Sequence, residues 1–378
     1  MKFRCERDTL VDALGTAGRA VATRGGALPV LSGVRLEVVG SQLRLAGSDL
    51  DLTIQVETEV HGLGDGVAVL PARLVAEIVR ALEPGAVTFE SGDDEVRITS
   101  GRSHFAVRIL PADEFPRLPF PPDPASGVAD AVTLVAAELA EALRQVVRAA
   151  SNDDSLPVIS GVLLTGEGAG GTGSPGLRLV ATDRYRLAVR DLPGTSMLRE
   201  DQRVLIPSRA LAEVQRLLSN AGSVTVRLGE RDASFEVGHV RLTTRLIEGE
   251  FPPYQKLIPD RYPNRLTVNR EALLDAVRRV RLLVKDAITP VRVSLKPDGV
   301  ECTVITQELG QATEDLEAKY EGTELVMGFN PSFLIDGLEA VAGDEIALET
   351  IDPMKPATVR ATEGGDYLYL LMPVRLTN

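Results

Sequence analysis

The sequence predicts an α+β protein built from one domain present three times. Three observations carry this. Short markers recur at intervals of about 130 residues, each recurrence opens the same order of helix and strand patterns, and proline accumulates between the copies. Leu10-Val11-Asp12-Ala13-Leu14 returns as Leu139-Ala140-Glu141-Ala142-Leu143 and as Leu273-Leu274-Asp275-Ala276-Val277, at offsets of 129 and 134 residues. Leu28-Pro29-Val30-Leu31-Ser32-Gly33 matches Leu156-Pro157-Val158-Ile159-Ser160-Gly161, and Thr289-Pro290-Val291 stands at the third position. Leu43 to Asp49 matches Leu177 to Asp183, Pro71-Ala72-Arg73 matches Pro207-Ser208-Arg209 and more loosely Asn330-Pro331-Ser332, and Glu114-Phe115-Pro116 matches Glu250-Phe251-Pro252. Such a period is too long for a solenoid and has the length of a whole domain.

Each copy reads alike. A strand opens the first (Met1–Cys5), followed by an amphipathic helix with Leu10, Leu14, Ala17 and Val21 at helical spacing. Strands are expected at Gly33–Val39 and Gln42–Gly47, around a turn at Gly40-Ser41. A second helix is expected to start at Pro71, carry Leu74, Ile78, Val79 and Leu82 on one face, and stop by Gly85. Strands Val87–Ser91, Glu95–Ser100 and His104–Leu110 complete the copy. Proline clusters at Pro116 to Pro124 and Pro252 to Pro263 place the domains at 1–125, 126–260 and 261–378.

Hydrophobic residues make up 44% of the 378, enough for sizeable cores, and aliphatic side chains must fill them because Trp is absent and aromatics are 4%. No run of 18 apolar residues suggests a membrane span, the N-terminus lacks the apolar stretch of a signal peptide, and two cysteines (Cys5, Cys302) make no disulfide framework. A cytoplasmic location is the default. His61, His104 and His239 are scattered without metal-ligand spacing, which argues against a zinc site and a Ser-His-Asp hydrolase. Gly166-Glu167-Gly168-Ala169-Gly170-Gly171 matches a dinucleotide fingerprint literally, but no helix pattern follows it and it reads as a loop. Asp153-Asp154 and Asp49/Asp51 lack the further acids of a two-metal site; Asp49 and Asp183, equivalent by the repeat, are expected to cap turns.

The net charge of −13 is unevenly distributed. The six helical segments 6–24, 71–82, 136–149, 208–219, 270–285 and 331–342 hold 14 Lys and Arg against 11 Asp and Glu, a surplus of +3 that leaves −16 on the remainder. Solvated helix faces account for such charges in general. In a pseudo-symmetric protein, equivalent helices can also turn their arginines to one surface, where phosphates would be met without sequence preference. Arg73 and Arg209 are equivalent, as are Arg80 and Arg216; the sixth helix has no basic residue.

The chain resembles the bacterial DNA polymerase III sliding clamp family, its β subunit. The likeness covers the whole length and rests on Leu28–Gly33, Pro71–Arg73, Ala181-Thr182-Asp183-Arg184-Tyr185-Arg186-Leu187-Ala188-Val189, Gly249 to Tyr254, Gly328-Phe329-Asn330 and Leu371-Met372-Pro373-Val374-Arg375-Leu376. The resemblance implies a non-catalytic processivity subunit, without cofactor or metal, that tethers the replicative polymerase to duplex DNA. It implies a head-to-tail homodimer closing into a ring of six domains, helices inside and sheets outside, with a clamp loader, translesion polymerases and repair proteins docking through short hydrophobic motifs.

Carried over residue by residue, the partner cleft would comprise Leu156, Ile159, Thr182, Arg184, Tyr185, Arg186, Leu187, Pro252, Lys256 and Leu257, with Asn330, Phe333, Pro356, Leu370, Met372, Pro373, Val374, Arg375 and Leu376. Arg184-Tyr185 stands where many relatives carry Gly-His or Gly-Tyr, and Thr377-Asn378 extends past the usual Leu ending. Most of these residues could equally be domain core. The DNA contacts would be Arg24, Arg73, Asn152 and Arg209; a solvated loop arginine is the other reading of Arg24. The ring seam would bring Phe105 and Val107 to Leu282 and Leu283, flanked by Arg102 with Glu308 or Glu314, although Leu282 and Leu283 could also serve a core. Two other readings are a specialised clamp paralogue for repair or drug resistance, and a stand-alone nuclease or nucleotidyltransferase, against which the lack of a phosphate loop counts.

Overall fold

The structure, a computed structural model, describes residues 1–22, 28–116, 131–153, 155–166, 176–199, 202–286 and 289–376. Arg24, Asp154, residues 167–171 of the glycine-rich stretch, the prolines from 117 to 124, and Thr377-Asn378 lie outside these.

The helices are α1 (Arg7–Ala17), α2 (Ala72–Ala81), α3 (Ala136–Val146), the single turn α4 (Pro157–Ser160), α5 (Ser208–Leu218), α6 (Arg270–Val280) and α7 (Pro331–Ala340). α1, α3 and α6 open the three copies, and α2, α5 and α7 follow at the second repeat position. Asn269 caps α6 by accepting from the Ala272 N–H at 2.9 Å, and Asn330 caps α7 by accepting from the Ser332 and Phe333 N–H groups. α1 ends against a glycine: a Cβ on Gly47 would lie 2.1 Å from the Ala17 carbonyl oxygen.

The strands differ from expectation mainly in number. Strand Gly33–Val39 and strand Glu95–Ser100 fall where the alternation puts them. Leu52–Glu59, His61–Gly64 and Gly66–Pro71 were not anticipated. The last of these corrects the start of α2: Pro71 ends a strand and caps the helix, which begins at Ala72. The buried face of α2 is Ala72, Val75 and Val79, and Leu74 is exposed, one position off the face expected of it.

Two compact units form, and they cut across the repeat. One contains Met1–Leu139 and Ala212–Leu246, the other Ala140–Leu211 and Ile247–Asn378. The reason is sheet continuity. In the first unit, an eight-stranded antiparallel sheet runs 132–135, 223–228, 232–237, 240–245, 52–59, 42–48, 33–39, 66–71, so the last strand of the central copy pairs with the first copy through Leu242 opposite Ile54. A five-stranded sheet (61–64, 2–6, 86–91, 95–100, 103–108) accompanies it. In the second unit, a nine-stranded sheet runs 203–207, 161–165, 176–182, 186–193, 367–371, 357–361, 345–350, 264–269, 319–321, with the last strand of the third copy on the central copy through Leu187 opposite Leu370. A four-stranded sheet (310–316, 299–306, 291–296, 325–329) completes that unit. One pairing rule thus operates twice: the closing strand of each later copy adds to the sheet of the copy before it.

Candidate partner-peptide cleft

The residues expected at the partner cleft belong to the second unit, and several of them lie at the turn 182–186. Thr182 and Asp183 shape it. The Asp183 carboxylate accepts from the Tyr185 and Arg186 N–H groups at 3.0 Å each, and the Thr182 hydroxyl donates to the Arg186 carbonyl at 2.7 Å. This forces Arg184 to φ +79°, the left-handed region. The equivalent turn in the first copy repeats the design: Asp49 accepts from the Asp51 and Leu52 N–H groups, and Leu50 sits at φ +81°. Both aspartates cap turns, as their repeat position implied.

Behind the turn lies a packed floor. Leu187, Val189, Val180, Leu163, Leu205, Leu370 and Tyr254 form one buried cluster, with Val158, Ile247, Phe251, Ile258, Leu368 and Met372 against it. Leu187 and Leu370 are each 1% exposed, so these two support the site from beneath instead of lining it. Ile159 and Thr182 are likewise buried, and Leu156 is half-buried. What reaches solvent is Tyr185 (58% exposed), Leu257 (46%), Pro252, Lys256, Arg184 and Arg375. Apolar anchors presented over a rigid sheet are what short hydrophobic motifs bind.

Arg186 ties the turn to α7. Its guanidinium donates to Asp183 at 2.9 Å, to Asp336 at 2.5 Å and to the Arg148 carbonyl, and lies 4.3 Å from the centroid of the Phe333 ring. Burial opposes its charge, but the facing Tyr369, Asp336 and Asp183 groups more than offset this and hold the proton more tightly than usual. Burial pushes the Tyr369 phenol up, and its hydroxyl donates to the Phe333 carbonyl at 2.8 Å. Phe333 also stacks on Tyr185, centroids 6.4 Å apart.

The C-terminal segment closes the other side. The Met372 N–H donates to the Tyr185 carbonyl at 2.8 Å, and the Val374 N–H to the Gly328 carbonyl at 2.7 Å. Pro373, Val374 and Leu376 are half-buried; a Cβ on Gly328 would come within 2.6 Å of Leu376 and 2.8 Å of the Val374 oxygen, so this close approach requires glycine there. Pro356, half-buried, precedes the strand whose Ala357 pairs with Leu371. The sequence reading overlooked Phe251, Tyr254 and Asp336; the first two stand inside the Phe251-Pro252-Pro253-Tyr254 run, where the aromatic pair around two prolines was the available signal.

The residues expected at DNA are exposed where described. Arg73 on α2 pairs with Glu77 at 2.9 Å, Arg209 lies in the first turn of α5, and Asn152 follows the 3₁₀ turn Val147–Ala149. Many helical arginines are engaged nearby: Arg19 and Arg216 meet Glu213, Arg148 and Arg278 meet Glu339, and Arg279 meets Glu314.

Of the residues expected at the seam, Val107 is 4% exposed on strand Ser103–Arg108, and Glu314 accepts two hydrogen bonds from Arg279, at 2.9 and 2.8 Å. Phe105 is 39% exposed on that strand, Leu282 is 82% exposed in the 3₁₀ turn Arg281–Leu283, and Leu283 is half-buried.

A chain of three like copies, two helices to a copy, with sheets continued from copy to copy, has the fold of a DNA clamp. Family models for the DNA polymerase III beta subunit match along the chain: the N-terminal domain at residues 1–119, the central domain at 133–253 and the C-terminal domain at 255–375. The chain is 33% identical to the beta sliding clamp of Streptomyces coelicolor and 30% identical to that of Caulobacter vibrioides, each over the full length of both proteins. Its structure matches the Bartonella birtlesii DnaN sliding clamp, solved bound to griselimycin, with a TM-score of 0.91 at 30% identity, and the Bacillus subtilis clamp at 0.88 and 28%, both chains fully covered in each case. It belongs to the DNA polymerase III beta subunit family, the beta sliding clamps, which are non-catalytic processivity factors of DNA replication.

Proposed function

We propose that two copies of the chain join head to tail into a ring around duplex DNA, and that each copy offers its cleft to the replicative polymerase, the clamp loader, translesion polymerases and repair proteins. The observation that carries the partner site is the cleft itself: Tyr185, Leu257 and Pro252 exposed above a rigid apolar floor, and the C-terminal segment laid along its edge. Two unpaired sheet edges support the seam. Strand Ser103–Arg108 and strand Gly310–Leu316 each end their sheet, and an edge of this kind pairs readily with another chain. Phe105 of one copy against Leu282 and Leu283 of the next would bury the apolar part of that contact, with Arg102 facing Glu308. Arg24, Arg73, Asn152 and Arg209 would meet the DNA backbone loosely, and a ring that slides needs loose contacts. Domain boundaries near 125 and 260, and a cytoplasmic setting in which Cys5 and Cys302 stay reduced, complete the reading.

The test is topological. Once loaded, the protein should remain on circular DNA and leave when the circle is cut; equal loss from intact and cut circles would refute encirclement.

A further inference from the structure

The second helices of the three copies repeat one stripe of charge. α2 carries Arg73, Glu77 and Arg80, and α5 carries Arg209, Glu213 and Arg216. Spacings of four and three residues put each trio on one face of its helix. By the repeat, α7 carries Ser332, Asp336 and Glu339 at these positions. The outer places change from arginine to serine and glutamate, but the middle place is a carboxylate in all three. Along the stripes four arginines stand against four carboxylates, so the faces that carry Arg73 and Arg209 are neutral as a set.

These carboxylates are engaged with arginines. Glu77 accepts from Arg73 at 2.9 Å, and Glu213 lies 3.0 Å from Arg19 and 2.7 Å from Arg216. Glu339 meets Arg148 at 2.6 Å and Arg278 at 2.8 Å. Burial opposes the charge of Glu339, but the two arginines outweigh it and hold its carboxyl below the usual carboxylate range. Stability does not call for the pair on α2. Arg73 is 92% exposed and Glu77 56%, and an ion pair so open to water contributes little to folding. What the carboxylate does is occupy a guanidinium that a phosphate would otherwise take.

We propose that Glu77 and Glu339 set how loosely duplex DNA is held, each by competing with phosphate for the arginines beside it. This rests on the reading that the helices face DNA. Both act through other side chains, Glu77 through Arg73 and Glu339 through Arg148 and Arg278, and are positioning residues of that surface.

The experiment measures binding of the full chain to a linear duplex by fluorescence anisotropy, from about 50 to 200 mM salt, for wild type, Glu77→Gln and Glu339→Gln. Each arginine that gains a phosphate steepens the logarithmic salt slope by about 0.9 and multiplies the affinity at about 50 mM by roughly tenfold. Glu77→Gln releases Arg73 and is expected to give one such step. Glu339→Gln is expected to give one step instead of two, because Asp336 stays 3.7 Å from Arg148 and Asp275 3.4 Å from Arg278. A loss of structure does not raise affinity and slope together. Glu90→Gln is the control. It removes the same charge in the same unit, from strand Ala86–Ser91, where Glu90 pairs with Lys2 at 3.2 Å, and should leave both values unchanged. A rise in Glu90→Gln equal to that in Glu77→Gln would make net charge the cause and overturn the proposal. Unchanged affinity and slope in both helix variants, while wild type binds duplex and stays on closed circles, would overturn the proposal alone. Wild type that neither binds duplex nor stays on circles would overturn the DNA reading with it.

Discussion

Arg184 holds a left-handed backbone at φ +79° although it has a Cβ, and no glycine supplies that freedom. The strain arises because the Thr182 and Asp183 side chains fix the turn from below, and a non-glycine residue in this region costs on the order of 1 kcal/mol. Arg184→Gly is therefore expected to stabilise the protein by up to about 0.5 kcal/mol against denaturant, because the greater freedom of glycine in the unfolded chain, about 0.4–1 kcal/mol, offsets most of the relief. A midpoint unchanged or lowered in the variant would mean that Arg184 makes compensating contacts. Arg186, two residues on, is the opposite case. It is fixed by charge on every side, and it links the turn to α7 through Asp336 and Phe333, so the exposed Tyr185 stands on a braced support.

Among elements, the C-terminal segment matters most to the cleft. It is held by two backbone hydrogen bonds and by the close approach of Leu376 to Gly328, and its removal leaves both sheet edges of the proposed seam in place. Deleting Met372 to Asn378 should abolish measurable binding of a Gln-Leu-x-Leu-Phe-type peptide, since anchor residues are worth roughly 2 kcal/mol or more each. Peptide titration of wild type and truncation, with sedimentation to verify a dimer, decides this; equal affinities would dismiss the cleft. The 3₁₀ turn Arg281–Leu283 is the matching element for the seam. Leu282→Asp with Leu283→Asp would place unpaired charge in an apolar contact at a cost of several kcal/mol, about 2–5 by analogy with buried polar groups. A folded monomer is expected by sedimentation, and a dimer persisting at micromolar concentration would move the seam elsewhere. Leu282 is 82% exposed but Leu283 is half-buried, so Leu282→Asp alone, checked for a native circular dichroism spectrum, separates loss of the seam from misfolding.

For the whole molecule, the solution mass should be near twice 40.5 kDa, as a two-chain ring requires. The charge arrangement then sets how DNA is held. With the helical surplus small and so many arginines already facing Glu213, Glu339 and Glu314, direct attraction should be weak and strongly screened. Raising salt from about 50 to 200 mM should lower direct affinity for linear duplex by about 40-fold if the three arginines of one chain each meet a phosphate, while protein already loaded on closed circles stays bound. Parallel loss from linear and circular DNA would make attraction, rather than linkage, the source of retention.

The sequence by itself determined the threefold repeat, the α+β composition of each copy, the helices that open the copies, and the family. These rest on local pattern: apolar spacing within a helix, alternation within a strand, and markers such as Thr182-Asp183 whose side chains hydrogen-bond within three residues. Many of the cleft residues that the resemblance implies lie in two short runs, 182–187 and 370–376, which the fold pairs through Leu187 opposite Leu370. Only the tertiary structure decided the rest. Whether Leu187 lines the cleft or supports it depends on Tyr254 and Leu370 lying over and beside it. How far Val107 is buried depends on what its strand packs against, and the ion-pair partner of Glu314 is Arg279, 35 residues away. The compact units cross the repeat because a closing strand finds its partner in the preceding copy, a pairing between residues almost 190 apart, as with Leu242 opposite Ile54. Periodicity records which face of an element is apolar; it does not record what that face meets, since the free energy of packing and pairing belongs to neighbours that the chain supplies from far away.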